Sequence, residues 1–398
     1  DIVDIDGAVD MASTLAVGGV VTAGGLTVDV ASGSEGAKFL TNDATAANNA
    51  GILVYNIASA TAATRNSQLI LDPSGANASG GDYLIVSAKG DNSASIINYH
   101  ATSTLALGTA GIERLKIAAD GSLSTPTSGT SNVRFGVNAG NSIASGGNYN
   151  TVVGDEAGTA LSTGDYNTAF GYAALFTEDA HGLNVAVGGR SLQALNAGAD
   201  GYNTAVGYNT GRYVTTGIKN TMLGALAGDA MTDADLNVAL GYFSLSANRL
   251  GSRSTAVGTG ALKVQDPVDG SGDPEAVDMY NTAVGFEAGV AVTTGVQNTL
   301  IGSLAGDGLT DADYNVAMGT YALTNDTLGS KSVALGWGTL SAQNFTTATD
   351  AYNTAVGHAA GEAVSTGILN TLVGGLSGDA LTTGGENVAV GYSALTAD

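Results

Sequence analysis

The sequence predicts an all-β protein whose main part is a parallel β-roll or β-helix solenoid with coils of 17 residues. A five-residue motif, Asn-(Thr/Val)-apolar-apolar-Gly, recurs through the last two thirds of the 398 residues, and its copies lie 17 residues apart in ten of fourteen intervals. The composition, with 59 glycines and 4 prolines, favours thin stacked β-layers over a large globular core. A fixed spacing with occasional longer intervals is typical of a solenoid whose extra residues form loops.

The first residue of the motif is nearly always asparagine. A weaker copy starts at Asn132, and serine replaces asparagine at Ser254 and Ser332. This row could bind sugars, or it could be an asparagine ladder whose side-chain amides bond successive coils. We favour the ladder, because serine replacements fit a tolerant structural position. The clear asparagine copies start at Asn150, Asn167, Asn184, Asn203, Asn220, Asn237, Asn281, Asn298, Asn315, Asn353, Asn370 and Asn387.

Each coil is expected to begin with a strand and then to turn. Thr-Ala-Val alternates and is rich in β-branched residues, and the glycine in fifth place permits a sharp corner. A second short segment follows, so we expect two or three strands of four or five residues in each coil. Helix at pieces such as Tyr172–Phe176 is the competing interpretation, but no apolar helical period runs through a repeat. Strands about 4.8 Å apart would give a rod of roughly 65–70 Å.

A longer period contains four coils. Residues 202–265, 280–343 and 352–398 are three copies of this four-coil block, the last one shorter. An acidic insert, Gln265–Asp278, and a shorter one, Asn344–Ala351, separate the copies. Such close agreement indicates recent duplication, and the inserts are expected to be loops outside the stack.

The first part of the chain lacks the 17-residue spacing. We interpret residues 1–30 as a β-rich stem, residues 31–130 as a small β-domain with a linker, and residues 131–398 as the solenoid. A hairpin with its turn at Asp120-Gly121 is expected to end the small domain. The strands expected there are Gly51–Asn56, Gln68–Leu71, Tyr83–Val86, Ile96–His100 and Ile112–Ile117.

Charge and composition argue against several classes of function. The net charge is −23, from 13 basic and 36 acidic residues, and no cluster of Lys and Arg suggests nucleic acid or an anionic membrane as partner. The absence of cysteine excludes disulfides and thiolate metal sites. We find no signal peptide and no apolar run long enough to span a membrane. Because the sequence starts at Asp1 rather than Met, we expect a processed or longer native N-terminus.

Association is expected from the size of the coil. A coil of 17 residues encloses little volume, and its inward positions are mostly Ala, Val and Leu. One chain alone would leave apolar faces exposed, and large exposed apolar patches mark association. We therefore expect a homotrimer with three coils side by side, so that the first partner of the chain is the chain itself.

Two features resemble known families. The repeats at Asn203–Tyr208, Asn281–Phe286, Asn353–His358 and Asn387–Leu395 resemble the head domain of trimeric autotransporter adhesins, whose coils form a left-handed parallel β-roll trimer. Similar repeats occur in bacteriophage tail fibres, often after a β-domain that ends in a segment like ERLKIAADG at Glu113–Gly121. The combination resembles a phage fibre more than a bacterial adhesin.

The resemblance has departures. The 17-residue repeat is longer than is usual in the bacterial heads, which leaves the coil geometry open. The intramolecular chaperone common in the phage proteins, and the stalk and membrane anchor of the autotransporters, are not found in the sequence. The sequence ends within a repeat at Asp398, so we expect cleavage or further chain there.

Paired aspartates in the second coil of a block are weak calcium candidates. Asp233 and Asp235 lie two residues apart, as do Asp311 and Asp313. In a strand this spacing places both carboxylates on one face, where they could bind Ca²⁺ through oxygen. A solvated turn accounts for them equally and is the preferred interpretation, so no metal or other cofactor is expected.

The acidic insert is a weak candidate for catalysis or recognition. Paired carboxylates can cleave polysaccharides, and the insert supplies Asp266, Asp269, Asp273, Glu275 and Asp278. A solvated loop is the preferred interpretation, because no groove or aromatic platform can be identified beside them. The insert remains a candidate for target recognition, since it lies outside the structural repeat.

Aromatic residues offer another recognition candidate, the lone Trp337. A tyrosine row just before the motif could stack on sugars, but packing at a coil corner is preferred. The three histidines lie far apart, and no nucleophile elbow, P-loop or dinucleotide fingerprint is present. The row consists of Tyr149, Tyr166, Tyr202, Tyr280 and Tyr352.

The sequence therefore predicts a non-catalytic structural fibre on the surface of a phage virion, which serves reach and host attachment outside the cell. Its expected partners are further copies of itself, other virion or filament subunits, and host surface glycans or proteins. Neither nucleic-acid binding nor membrane insertion is expected. One alternative is a bacterial trimeric surface adhesin or extracellular filament subunit, and a second is a fibre-borne polysaccharide depolymerase.

Overall fold

The computed structural model describes residues 67–71, 84–88, 94–98, 104–110, 112–118, 123–125, 127–268 and 271–396. These residues form strands and turns and contain no helix, which confirms the all-β prediction for them. The chain divides into two compact units, Asp1–Leu105 and Ala106–Asp398. The second unit begins before the boundary expected at residue 130, so the strand at residues 112–117 belongs to the same unit as the coils.

The strands are short and numerous. In chain order they are β1 (Ser67–Leu71), β2 (Leu84–Ala88), β3 (Ala94–Asn98), β4 (Leu105–Thr109), β5 (Ile112–Ile117), β6 (Leu123–Ser124), β7 (Val133–Phe135), β8 (Thr151–Val153), β9 (Thr168–Phe170), β10 (Val185–Val187), β11 (Thr204–Val206), β12 (Thr221–Leu223), β13 (Val238–Leu240), β14 (Gly251–Ser252), β15 (Thr255–Val257), β16 (Val277–Asp278), β17 (Thr282–Val284), β18 (Thr299–Ile301), β19 (Val316–Met318), β20 (Gly329–Ser330), β21 (Val333–Leu335), β22 (Thr349–Asp350), β23 (Thr354–Val356), β24 (Thr371–Val373) and β25 (Val388–Val390).

One parallel sheet of fifteen strands runs the length of the repeats, from β7 to β25, with one strand from each coil. Its neighbours are in register, so that Ala186 pairs with Ala169 on one side and with Ala205 on the other. The two-residue strands form separate parallel pairs, β14 with β16 and β20 with β22, beside the two inserts. The parallel solenoid with 17-residue coils is thereby confirmed.

The strands that precede the coils form two small sheets. Strands β1, β2 and β3 form an antiparallel meander, close to three of the segments expected from the sequence. Strands β4, β5 and β6 form the other sheet, in which β5 and β6 are antiparallel. The expected stem at residues 1–30, the expected strand Gly51–Asn56 and the turn at Asp120-Gly121 lie outside the described residues.

Each coil has the same backbone plan, which is clearest when positions are counted from the first motif residue as position 0. Residues at positions −1, +6 and +8 lie in the left-handed region, as at Tyr202 (φ 50°), Asn209 (φ 54°) and Gly211 (φ 57°). Glycine at position +4 ends the strand, as at Gly285 (φ 147°), where a Cβ would lie 2.3 Å from the carbonyl oxygen of Gly302 in the next coil. Stacked corners of this kind admit only glycine.

The left-handed corners also explain an error in the expected coil. The prediction of two or three strands of four or five residues in each coil is wrong for most coils, in which turns follow a single three-residue strand, and the four coils with a second strand have only two residues in it. The alternative of a helix at Tyr172–Phe176 is wrong as well. Ala173 and Leu175 there both have φ 51°, and alternating left-handed residues cannot propagate a right-handed helix.

The core inside the coils is a narrow column of small and medium side chains. Position +2 is usually a buried alanine, and position +8 is either a buried leucine or a glycine. Where position +8 is glycine, a larger side chain occupies its place: a Cβ at Gly289 would lie 2.6 Å from Leu300, and one at Gly306 would lie 2.7 Å from the same side chain. A glycine in one coil thus leaves room for a larger side chain from a neighbouring position, as close packing of the core requires.

Candidate interaction surface

The recurring asparagines form a buried ladder. The backbone N–H of Asn167 donates to Oδ1 of Asn150 in the coil before it, at 2.8 Å, and the amide of Asn150 donates to the carbonyl of Gly164 at 2.8 Å. The same pair of bonds recurs at Asn220, whose amide donates to Ala234 at 2.7 Å. Most of these amides therefore bond to backbone groups, where amide-to-amide bonds were expected. With both ends of the side chain engaged and every member from Asn150 to Asn370 buried, the row offers nothing to a sugar.

Each of the two serines on the ladder is hydrogen-bonded to a glutamine eleven residues later. Gln265 is fully buried, and its amide donates to Oγ of Ser254 at 3.1 Å while its Oε1 accepts from Asn281 at 2.9 Å. Gln343 does the same between Ser332 (3.1 Å) and Asn353 (2.8 Å). The glutamine supplies the amide that serine lacks, so the ladder continues through both coils.

The outer face of the long sheet is uncharged in every coil. The residues at positions +1 and +3 point away from the core, because position +2 between them is buried. Position +1 is always Thr or Val, and position +3 is always Val, Leu, Ile, Met or Phe, so neither row contains a charge. Several of these side chains are largely exposed, including Phe170 (53%), Leu223 (46%) and Met318 (41%).

Exposed aromatic residues border this face on both sides. At position −1 the tyrosines are about half exposed, so the corner packing expected for them leaves one side of each ring free. Tyr149 and Tyr166 stack with ring centroids 4.9 Å apart. At position +5 the exposed aromatic residues are Tyr172, Tyr208, Tyr242, Phe286, Trp337 and Tyr392.

Trp337, the recognition candidate, lies in this second border. Its ring stacks on His358 of the next coil with centroids 4.9 Å apart, and it meets Tyr321 of the preceding coil edge-on at 6.4 Å. Its side chain is 47% exposed. The structure therefore places Trp337 at an aromatic cluster that spans three coils beside the apolar face.

The acidic residues of the first insert are partly paired with arginine. Asp266 lies 2.6 Å from Arg249, and this hydrogen bond raises the pKa of Arg249. Asp278 lies 2.7 Å from Arg253. Asp273 and Glu275 are exposed, and Asp269 lies outside the described residues. Ion pairing at both ends of the insert is a structural use of its carboxylates, because it fastens the loop to the coil.

The four calcium candidates bond to the coil before them. Asp233 accepts from the hydroxyl of Thr216 at 2.6 Å, and Asp235 accepts from the backbone N–H of Ile218 at 2.8 Å. In the next block the hydroxyl of Thr294 donates to Asp311, and the N–H of Val296 donates to Asp313 at 2.8 Å. Burial raises the pKa of Asp313 above its ordinary value. These carboxylates join successive coils, each to a residue 17 positions earlier.

A cleft of about 450 Å³ lies where strand β5 meets the first coil. Arg134 takes position +2 there, where most other coils have alanine, and its Nε donates to the carbonyl of Ala139 at 2.6 Å. Burial, and then the neighbouring charge of Arg114, lower the pKa of Arg134. The guanidinium closes the end of the narrow core, so the cleft is a capping feature of the solenoid.

One group of side chains that could hold a metal ion was not predicted from the sequence. Glu178, Asp179 and His181 bring three ligand atoms within 4.8 Å of one another. We considered the histidines only by their distance from one another and not by their neighbouring carboxylates. The signal in the sequence is that Glu178, Asp179 and His181 stand where the equivalent coil has neutral or basic residues. Those residues are Asn248, Arg249 and Gly251.

No protein-family model, curated protein or solved structure matches this chain. None of the described segments forms a helix long and apolar enough to cross a membrane.

Proposed function

We propose that this chain is a non-catalytic structural fibre of a phage virion, such as a tail fibre, that assembles as a homotrimer and serves reach and attachment to the host surface. The observation that carries the proposal is the uncharged outer face of the fifteen-stranded sheet. The resemblance of the repeats and of the ERLKIAADG segment to phage fibres supports the same assignment.

The size of the face argues that another protein surface covers it. Fourteen strand spacings of about 4.8 Å and a strand of three residues at about 3.3 Å each give roughly 700 Å² for the sheet face alone, and the exposed aromatic residues that border it on both sides enlarge the patch. Exposed apolar patches on monomers are normally a few hundred Å², and a stable interface buries about 800 Å² on each partner. A second copy is the natural occupant, because its face repeats at the same step along the rod. Rotational symmetry then closes the assembly, and the resemblance favours three copies.

The attachment role follows from where the recurring side chains lie. The asparagines, serines and glutamines of the ladder are buried, and the paired aspartates join coils. What remains for contact with a host glycan or protein is the first insert, residues 265–278, and the aromatic cluster at Trp337. Attachment through such features would require no cofactor and no chemistry, and it fits a protein that acts outside the cell on the virion.

The oligomeric state is tested by charge substitutions on the outer face. We expect the parental chain to sediment as a trimer and the pair Leu223→Glu and Met318→Glu to sediment as a monomer with unchanged circular dichroism. Both side chains are exposed in the single chain, so the fold tolerates a charge there while the interface does not. Thr366→Glu, exposed on another side of the coil, is the matched control and should stay trimeric. A monomeric parental chain contradicts the proposal.

The virion assignment is tested by localisation. Antibodies against residues 127–396 are expected to label fibres on purified phage particles in electron micrographs. Labelling of bacterial cell surfaces in phage-free cultures would instead support the adhesin alternative. Release of reducing ends from a host polysaccharide by the purified chain would support the depolymerase.

A further inference from the structure

The coil that starts at Asn167 differs in one corner from its counterparts, which start at Asn237 and Asn315. Its residues Glu178, Asp179 and His181 stand where the coil at Asn237 has Asn248, Arg249 and Gly251. The coil at Asn315 has Asp326, Thr327 and Gly329 at the same places. Only this coil of the three therefore brings two carboxylates and an imidazole to one turn.

The first of these positions has a structural role in all three coils. Its side-chain oxygen accepts from the backbone N–H three residues later, at 3.2 Å for Glu178, 3.0 Å for Asn248 and 3.1 Å for Asp326. Oε2 of Glu178 also accepts from the N–H of Ala197 at 3.2 Å. These bonds account for an acceptor at this position, but they do not account for the histidine and the second carboxylate.

The carboxylate of Glu178 has fewer hydrogen-bond donors than its counterpart at Asp326. The side chain of Glu178 is fully buried. The amide of Gln343, in the coil that follows, donates to the equivalent buried carboxylate of Asp326. The residue that corresponds to Gln343 in the coil after Glu178 is Leu195, whose side chain has no donor. Buried carboxylates without sufficient donors are costly unless a cation lies beside them.

The geometry of His181 supplies the second observation. Its Nδ1 is buried and has no hydrogen-bond partner, and it lies 3.6 Å from Oε1 of Glu178. This separation is too long for a good hydrogen bond, which needs about 3.2 Å or less. It is close to the edge of about 3.4 Å expected between two ligands of a tetrahedral ion at about 2.1 Å. The histidine side chain is 30% exposed, so an ion can enter from solvent.

We propose that Glu178, Asp179 and His181 bind a borderline divalent cation such as Zn²⁺, with Nδ1 of His181 and one oxygen of each carboxylate as ligands and water in the remaining position. Imidazole together with carboxylate suits such ions better than Ca²⁺ or Mg²⁺, which take oxygen ligands. The ion would neutralise the buried carboxylate and fasten this corner to the next coil, where Ala197 donates to Glu178.

The test measures Zn²⁺ binding by the full chain after treatment with EDTA and dialysis. We expect calorimetry to give one Zn²⁺ per chain, and we expect the melting temperature to rise by several degrees in saturating Zn²⁺ but not in Ca²⁺. His181→Gln should abolish both effects, and Asp179→Asn should weaken binding at least tenfold. His358→Gln removes another histidine and is the matched control, which should bind as the parental chain does.

Each other outcome overturns the proposal. Absence of saturable Zn²⁺ binding in the parental chain rules the site out. Equal binding by the parental chain and His181→Gln places the ion elsewhere, and equal loss in both histidine variants indicates non-specific binding. The melting temperatures in EDTA show whether each variant is folded, so a loss of binding is not mistaken for a loss of structure. The outcome is independent of the oligomeric state.

Discussion

At the residue scale, the ladder shows how a buried polar row continues where its main side chain changes. Ser254 and Ser332 are too short to reach both the next coil and the end of their own coil. Gln265 and Gln343, at position +11 of the same coils, reach this space with their side chains. In the equivalent coil that starts at Asn184, position +11 is Leu195. The residue at position 0 and the residue at position +11 therefore depend on each other, because buried polar groups require hydrogen-bond partners.

This dependence predicts a rescue. Gln265→Leu should lower the free energy of unfolding by about 2 kcal/mol, because the amide of Asn281 and the hydroxyl of Ser254 lose a buried partner. Adding Ser254→Asn recreates the Asn–Leu combination of the coil at Asn184 and should recover at least half of the loss. Urea unfolding of the two single variants and the double variant gives the coupling energy. Additive losses would mean that the two positions act independently.

Buried carboxylates give a prediction about pH. Burial raises the pKa of Asp229 above 3.8, and Oδ1 of Asp229 has no partner. A raised pKa in the folded state means that the neutral form is favoured, so this stability is present at low pH and is lost as the pH rises through the folded-state pKa. We expect the urea midpoint to fall between about pH 4 and pH 7, and Asp229→Asn to lessen the fall.

The effect of Asp229→Asn should be well under about 1 kcal/mol, because the side chain is only half buried and solvent screens its charge. Asp155→Asn is the control for the overall charge of the chain, since Asp155 is exposed. If Asp155→Asn changes the pH profile as much as Asp229→Asn does, burial of Asp229 is not the cause.

At the scale of the coil, the core is packed by pairs of positions in which a small residue at one makes room for a large residue at the other. Where position +8 is leucine, position +2 of the same coil is alanine, as at Leu323 and Ala317. Leu300, a leucine at position +2, instead lies against two glycines at position +8, Gly289 of the preceding coil and Gly306 of its own coil. Each coil therefore fills the space that its neighbour leaves. The four-coil block is the smallest unit in which this alternation closes, which gives a physical reason for its duplication as a unit.

The exchange predicts which apolar residues matter. Leu300→Ala should lower the free energy of unfolding by about 3 kcal/mol, because the two glycines beside it cannot fill the cavity. Leu223→Ala, on the outer face, is the matched control and should cost less than about 1 kcal/mol in the monomer. Both values are measured by urea unfolding in a Met318→Glu background, at a concentration at which sedimentation shows a monomer. Equal losses would contradict the assignment of the core.

Much of the coil could be predicted from sequence, since the repeated motif fixes the strand at positions +1 to +3, the buried asparagine and the glycine corner. The backbone between strands could not be predicted. Left-handed conformations at residues such as Tyr202 and Leu245 go against their intrinsic preferences and are imposed by stacking. The group at Glu178 was missed for a related reason, because residues on one turn became neighbours only once the turn was known.

At the scale of the molecule, the coils form a stack whose sheet has an uncharged outer face. The net charge of the chain is −23, and neither row of that face contributes to it. In the proposed assembly, association along this face would cover the rows at +1 and +3, and the inserts between blocks would be available for contact with other molecules.

The central claim is that the coils stack into a rod whose outer sheet face is covered by other copies of the chain. Cryo-electron microscopy of the purified protein tests it most directly. We predict three parallel rods around one axis, with layers about 4.8 Å apart and with Leu223 and Met318 facing that axis. Isolated rods, or an assembly in which those side chains face solvent, would contradict the account.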